Sequence, residues 1–101
     1  MKSLTLLIEK IQSEFTFETS RSSGKGGQHV NKTESRVTLV WDFNSSENLS
    51  SEEKGFIETK CKTYVSGNFL RISTEENRSQ VKNKKKSIYK LKKLLEQAFH
   101  K

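Results

Sequence analysis

The first half of the chain carries one helical and two strand-like patterns of apolar residues. The helical pattern repeats at i, i+3, i+4 and i+7 behind Ser3, a residue suited to capping a helix, and consists of Leu4, Leu7, Ile8 and Ile11. Alternation of apolar and polar residues then predicts two strands, the first with Phe15 and Phe17 on one face and the second with Val37, Leu39, Trp41 and Phe43. We expect Phe15, Phe17 and Trp41 to lie in the core.

The second half predicts a helix, a strand and a longer helix. Ser50 and Glu53 have the spacing of a capping box, and the apolar residues that follow at helical intervals, up to a stop at Gly67-Asn68, are Ile57, Cys61, Tyr64 and Val65. A short strand is predicted over residues 69–73. The last helix begins near Ser79, and its apolar side is made of Val81, Ile88, Leu91, Leu95 and Ala98.

This order of elements predicts an α+β fold, in which a β-hairpin and a third strand pack with helices. The 101 residues leave room for one small domain. We divide it into an N-terminal helix (1–13), a ββαβ core (14–77) and a basic C-terminal helix (78–101).

The net charge of +7 comes entirely from the second half of the chain. Residues 1–50 contain six Lys and Arg against six Asp and Glu, whereas residues 51–101 contain thirteen against six. Four lysines step along the last helix on a side that we expect to lie opposite its apolar face: Lys82, Lys86, Lys90 and Lys93. Such a stripe indicates a partner with phosphates or an anionic membrane, or else a merely soluble helix surface.

Composition excludes several kinds of chemistry. The one cysteine, Cys61, cannot form an internal disulfide, and we expect it to be a small buried hydrophobe. His29 and His100 do not have the spacing of metal ligands, so neither a metal nor a cofactor is expected. The apolar run over residues 4–8 is too short for a signal sequence or a membrane span. We therefore expect a cytoplasmic protein, acting as a monomer.

A polar stretch of fourteen residues, 20–33, separates the first two predicted strands and contains Gly24, Gly26 and Gly27. It does not fit a phosphate-binding P-loop, because that motif requires glycine at position 19 and Ser or Thr after Lys25. Nor does it fit a dinucleotide-binding fingerprint, which requires glycine at position 29. Residues without a Cβ can enter a crevice too narrow for side chains, but a flexible linker explains this composition equally well.

The same stretch nevertheless resembles a known signature. Gly26-Gly27-Gln28 with its continuation through residues 29–35 is similar to the GGQ signature of bacterial class I peptide chain release factors. Their stand-alone relatives, the alternative ribosome-rescue factors and the mitochondrial immature colon carcinoma transcript proteins, share it. Arg78-Ser79-Gln80, followed by Asn83, opens the last helix where the family places it, and the resemblance covers residues 14–99.

The resemblance implies a peptidyl-tRNA hydrolase whose partners are the peptidyl-transferase centre of the ribosome and peptidyl-tRNA. Because the chain has no length for stop-codon-reading domains, the codon-independent branch that rescues stalled ribosomes is the closest. Members of that branch usually carry a Lys/Arg-rich tail in the mRNA channel. This sequence ends at Lys101 without one, so either the tail is missing from it or the lysine stripe takes a larger part in docking.

The resemblance also implies roles for individual residues. Gly26, Gly27 and Gln28 are the implied catalytic residues: the glycines permit the backbone geometry, and the backbone N–H of Gln28 stabilises the developing charge. Loop-ordering hydrogen bonds are expected from Asn31 and Thr33. Apart from the resemblance, positive charge predicts contacts with RNA phosphates from Arg21, Lys25, Lys32, Arg36, Arg78, Lys82, Lys86, Lys90 and Lys93. Lys25 departs from the family, which commonly has a small residue or proline there, and a solvent-facing lysine without a role explains it equally well.

Several alternatives stay open. The domain could be a non-catalytic rRNA-binding module that uses the glycine-rich loop as a flexible clamp. A basic amphipathic helix could target membranes or acidic proteins. The chain could also be the catalytic fragment of a longer release factor, although its Met1 start favours a complete small protein. His29 is a candidate general base, but related sequences accept asparagine there, so we do not expect that role.

Overall fold

The computed structural model of the chain describes residues 3–20 and 35–100. Its helices and strands are α1 (Leu4–Ile11), β1 (Phe15–Ser20), β2 (Arg36–Trp41), α2 (Ser51–Lys60), β3 (Val65–Ser66), β4 (Phe69–Thr74) and α3 (Gln80–Phe99). Short 3₁₀ turns lie at Gln12–Glu14, Phe43–Ser45 and Lys62–Tyr64. The strands form an antiparallel sheet in the order β1-β2-β4-β3, so the predicted α+β class is confirmed, with the two-residue β3 as an addition.

The core lies between one face of the sheet and the helices. Every second residue of β2 and β4 points to this face, because side chains alternate along a strand. The buried apolar residues of the core are Leu7, Ile8, Ile11, Leu39, Trp41, Phe43, Leu49, Ile57, Cys61, Leu70, Ile72, Leu91, Leu95 and Ala98. Their burial supplies the main stabilisation of a domain this small.

Side-chain caps begin all three α-helices of the described part. The Ser3 hydroxyl accepts the backbone N–H of Leu6 at 3.4 Å, and the Ser79 hydroxyl accepts that of Lys82 at 3.2 Å. At α2 the predicted capping box is complete: Ser50 Oγ accepts the Glu53 N–H at 3.1 Å, and the Glu53 carboxylate accepts the Ser50 N–H at 2.8 Å. Each cap satisfies a backbone donor that has no partner within its helix.

Two predicted boundaries were wrong. Phe43 does not continue β2, because the strand ends at Trp41 and Phe43 enters the core from a 3₁₀ turn. The helix after Ser50 ends at Lys60 rather than running to Gly67: Cys61 ends the helix, and Val65 belongs to β3. Gly67 instead opens the two-residue turn of the β3–β4 hairpin, with a φ of +62° that suits glycine.

The buried face of α3 also differs from the prediction at its start. Val81 is 62% exposed, whereas Asn83 and Ser87 are fully buried in line with Leu91 and Leu95. An α-helix advances about 100° per residue, so residues four apart share a face and Val81 falls outside this series. The apolar side of α3 from Leu91 onward is confirmed. No helix of the described residues combines the length and the apolar composition needed to cross a membrane.

Glu14 connects the beginning of β1 to the end of β2 and the segment after it. Its carboxylate accepts hydrogen bonds from the Trp41 indole N–H at 2.8 Å, the Ser46 hydroxyl at 3.0 Å and the Asn48 amide at 2.8 Å. Trp41 is fully buried as predicted, while Phe15, packed edge-on against it, is only half-buried, as is Phe17. The two phenylalanines therefore border the core, because β1 is an edge strand.

Candidate functional site

The pairing of β1 with β2 places the two residues that flank the 21–34 segment close together. We call them the roots of the segment: Ser20 precedes it and Ser35 follows it. These strands pair along their whole length, and the last pair is Ser20 with Arg36. The predicted catalytic and loop residues belong to this segment and lie outside the described residues: Gly26, Gly27, Gln28, Arg21, Lys25, Lys32, Asn31 and Thr33. The structure describes the residues on either side of this segment.

The buried side chain of Asn83 holds Ser35, the residue that follows the segment, in place. Asn83, fully buried in the first turn of α3, donates its amide to the Ser35 carbonyl at 2.6 Å and to the Asn77 carbonyl at 2.8 Å. Its amide oxygen accepts the Asn77 backbone N–H at 3.0 Å. We call Ser20, Ser35, Arg36, Asn77 and Asn83 together the segment base.

The Asn83 hydrogen bonds follow from its burial. A buried primary amide has two N–H donors and one acceptor oxygen, and leaving any of them without a partner is costly. All three groups are used here, and the partners come from two backbone segments, the start of β2 and the connection between β4 and α3. The sequence carried a signal for this role, because Asn83 stands four residues before Ser87 and eight before Leu91, on the core-facing side of α3.

Basic residues surround the segment base. Arg36 is half-buried at the start of β2, and Arg78 and Lys82 are exposed on either side of the Ser79 cap. Because Asn83 ties the first turn of α3 to Ser35, these three residues come to the same end of the domain. Within residues 3–20 and 35–100, neither Lys82 nor Lys86 forms an ion pair. The charge of Lys86 nevertheless acts on Glu76, since it is one of the causes that lower the Glu76 pKa.

The second half of the predicted lysine stripe is partly engaged within the domain. The Lys90 ammonium lies 3.0 Å from the Glu76 carboxylate and 3.4 Å from the Ser73 carbonyl. The hydrogen bond from Lys90 lowers the pKa of Glu76 below its usual value. Lys93 lies 3.6 Å from Glu96. Lys90 is also half-buried, so the stripe follows a flank of α3 rather than the side directly opposite its buried face.

A further lysine contact was not predicted from the sequence. The Lys84 ammonium lies 4.7 Å from the centre of the Phe17 ring, a cation–π contact between α3 and β1. The two residues are 67 positions apart, and no local pattern pairs them. The Lys84–Phe17 contact stabilises β1, which precedes the 21–34 segment. The Asn83 hydrogen bonds stabilise the start of β2, which follows it.

Metal-binding clusters and a cysteine thiol are two kinds of reactive group relevant to the described part of the chain. Within it, no three His, Cys, Asp or Glu residues lie close enough together to hold a metal ion. Cys61 is buried as predicted, and burial raises the pKa of its thiol, which disfavours the nucleophilic thiolate.

Comparison with known proteins identifies a family. The profile of the RF-1 domain family matches residues 5–101, from within α1 through the glycine-containing segment to the end of the chain. No curated protein matches the chain.

Proposed function

This chain belongs to the RF-1 domain family, which contains the GGQ domains of class I release factors, and on that premise we propose that it is a stand-alone, codon-independent peptidyl-tRNA hydrolase. Members of this family act on the ribosome and include peptidyl-tRNA hydrolases, which supports a role in peptide release. The substrate proposed here is the ester between a nascent peptide and the 3′ ribose of tRNA on a stalled cytoplasmic ribosome. The chain acts there as a monomer.

The segment base is the observation that carries the proposal. Both roots of the segment containing Gly26-Gly27-Gln28 lie side by side, one paired in the sheet and the other held by Asn83. The structure therefore holds the residues on both sides of this segment close together, which supports its use as one functional unit. Arg36, Arg78 and Lys82 around the base provide positive charge for rRNA or tRNA phosphates.

Hydrolysis of the ester requires an oriented water molecule, stabilisation of an oxyanion and a proton for the leaving 3′ oxygen. We assign the stabilising hydrogen bond to the backbone N–H of Gln28, and a preorganised donor of this kind contributes on the order of 10² to 10³ in rate. The Gln28 side chain positions the water molecule. Gly26 and Gly27 permit the required backbone geometry, so substituting either should slow release more than substituting Gln28.

A second candidate function is docking on rRNA without catalysis. The basic residues around the segment base support this function equally, so only a release assay separates the two. Membrane targeting by α3 has less support. Its apolar residues Leu91 and Leu95 are completely buried in the core and cannot contact lipid without unfolding the domain.

The test is release of labelled peptide from ribosomes whose mRNA ends in the P site. We would compare the parent chain, Gly27→Ala and a matched control, Gly55→Ala, in which the added methyl group in α2 meets no atom within 4 Å. We expect release by the parent and by Gly55→Ala, and release at least about 100-fold slower by Gly27→Ala. Equal rates for Gly27→Ala and Gly55→Ala would refute the geometric mechanism.

Codon independence requires a second comparison. Ribosomes that carry the same peptidyl-tRNA would be programmed either with mRNA truncated at the P site or with a stop codon in the A site. We expect release on the truncated mRNA without any stop codon. Release only in the presence of a stop codon would refute codon independence. Binding to ribosomes without release by the parent would favour the docking function.

A further inference from the structure

A groove runs along one flank of α3, between that helix, strand β4 and the 3₁₀ turn before β3. Its volume is about 380 Å³, which is within the range of small-ligand sites. Ile72 and Leu94 form the apolar part of the groove. Tyr64 of the 3₁₀ turn and Tyr89 of α3 also line it. Tyr64 is 41% exposed and Tyr89 is 54% exposed. The Lys93 ammonium lies 5.6 Å from the centre of the Tyr89 ring, so a planar ligand can stack on Tyr89 only where this cation–π contact leaves the ring exposed.

The ionic side chains that line the groove are lysines, and two carboxylates lie beside them: Glu76, whose pKa is lowered by Lys90 and Lys86, and Glu96, which is 3.6 Å from Lys93. Three lysines line it, and none of its lining residues is acidic. Lys90 is bound to Glu76, whereas Lys86 is exposed and forms no ion pair in the described part of the chain. Lys93 pairs with Glu96 only across an exposed helix surface, where such a pair contributes little. A phosphate group can therefore replace water at Lys86 and can replace Glu96 at Lys93.

We propose that this groove binds an unpaired nucleotide of RNA, with its base stacked on Tyr64 and Tyr89 and its phosphates bound by Lys86 and Lys93. Aromatic faces beside basic side chains hold single-stranded nucleic acid without reading its sequence. An acidic peptide would satisfy the lysines but would not use the two ring faces. RNA is the partner that matches both features of the groove.

The groove continues along α3 from the segment base. Ser73, which lines it, precedes Thr74, and Thr74 pairs with Val37 next to Arg36. An RNA strand that contacts Arg36 and Lys82 can thus continue along α3 into the groove. The identification of this RNA as ribosomal rests on the proposed function, whereas binding of an unpaired nucleotide does not.

The experiment measures binding of a fluorescently labelled 12-nucleotide oligoadenylate by anisotropy at low salt. Tyr89→Ala and Tyr64→Ala are compared with Tyr89→Phe, which keeps the ring, and with Phe69→Ala, which removes an equally exposed ring outside the groove. Each alanine substitution in the groove should weaken binding roughly fivefold to 100-fold, the effect of losing one stacked base. Tyr89→Phe and Phe69→Ala should bind as the parent does.

Two further measurements establish which ligand the groove prefers. Lys86→Gln should weaken oligoadenylate binding more than Lys85→Gln, since Lys85 is exposed on the same helix but does not line the groove. A 12-base-pair RNA duplex should bind Tyr89→Ala and the parent equally, because its bases are not free to stack. The inference is overturned if the parent does not bind oligoadenylate, if Tyr89→Ala binds it unchanged, or if polyglutamate binding shows the same dependence on Tyr89.

The outcomes distinguish this inference from the proposed function. Gly27→Ala tests peptide release and Tyr89→Ala tests RNA binding, so the two hypotheses can fail separately. If Gly27→Ala releases peptide as fast as the parent while Tyr89→Ala loses RNA binding, only the proposed mechanism fails. If Gly27→Ala is inactive while Tyr89→Ala binds RNA normally, only the groove fails.

Discussion

The amide nitrogen of Asn83 lies 2.6 Å from the carbonyl oxygen of Ser35, although 48 positions separate the two residues. The same side chain binds both backbone groups of Asn77. The first turn of α3, the β4–α3 connection and the start of β2 therefore meet at one buried amide. Since Ser35 directly follows the 21–34 segment, the position of α3 and the position of this root are coupled.

Asn83→Ala should both destabilise the domain and slow peptide release. Removing the amide removes its hydrogen bonds to the buried Ser35 carbonyl and to the part-buried backbone groups of Asn77, at a cost of about 2–3 kcal/mol in the free energy of unfolding. Release should fall in kcat more than it changes KM, because the phosphate contacts remain while the Ser35 root is no longer fixed. Urea denaturation and release kinetics, both at a temperature where the variant is folded, measure the two effects.

Ser87→Ala is the matched control for that substitution. Ser87 is also fully buried in α3, one turn after Asn83, but its hydroxyl donates only within the helix, to the Lys84 carbonyl at 2.7 Å. Its loss should cost about 1 kcal/mol and leave kcat unchanged. Equal kcat values for Asn83→Ala and Ser87→Ala would show that Asn83 has a structural role only.

Local signals in the sequence were sufficient for most of the fold. Hydrophobic periodicity predicted α1, β1 and the later part of α3, and the Ser50–Glu53 spacing predicted a capping box that the structure contains. The errors lie where local and tertiary preferences compete. Phe43 continues the alternation of β2 in sequence, yet the chain turns at Asp42, whose carboxylate accepts the Ser45 N–H at 3.3 Å and the Ser45 hydroxyl at 2.9 Å.

The candidate site was predictable only in part, for a physical reason. The signature around Gly26-Gly27-Gln28 is contiguous and can be read directly from the chain. The contacts that hold its base join residues far apart in sequence, such as Asn83 with Ser35 and Lys84 with Phe17. No local spacing encodes such pairs, because the fold alone brings them together.

Glu14→Gln should destabilise the domain without altering its fold. The carboxylate accepts three hydrogen bonds, and the amide that replaces it presents N–H groups to at least one donor. Hydrogen bonds to a charged group contribute more than neutral ones, so a loss of about 1.5–3 kcal/mol is expected. Because Trp41 is the only tryptophan, its fluorescence reports both the local change and urea unfolding.

Glu9→Gln provides the comparison for Glu14→Gln, since Glu9 is exposed on α1. It should leave the unfolding midpoint and the Trp41 emission unchanged. If Glu14→Gln behaves in the same way, the three hydrogen bonds at Glu14 do not contribute net stability.

Lys82 and Lys90 should contribute differently to the salt dependence of ribosome or RNA binding. Each phosphate contact adds roughly 0.7 to 0.9 to the slope of log K against log salt concentration. Lys82→Gln should lower the slope by about this amount, because Lys82 is exposed and near the segment base. Lys90→Gln should lower it less, because Glu76 already balances the Lys90 charge. Equal reductions for the two variants would show that RNA displaces Glu76 from Lys90.

The Glu76–Lys90 contact should also appear in the pH dependence of stability. The hydrogen bond from Lys90 lowers the pKa of Glu76 in the folded chain, so the contact stabilises the fold above the unfolded-state pKa, and that contribution is lost as pH falls through the folded-state pKa. The Glu76 side chain is 53% exposed, so solvent screening limits the contribution to about 0.5 kcal/mol or less. In Lys90→Gln, a carboxylate NMR titration should show the Glu76 pKa rising toward its ordinary value, with Lys85→Gln as the control that leaves it unchanged. An unchanged Glu76 pKa in Lys90→Gln would mean that the contact does not persist in solution.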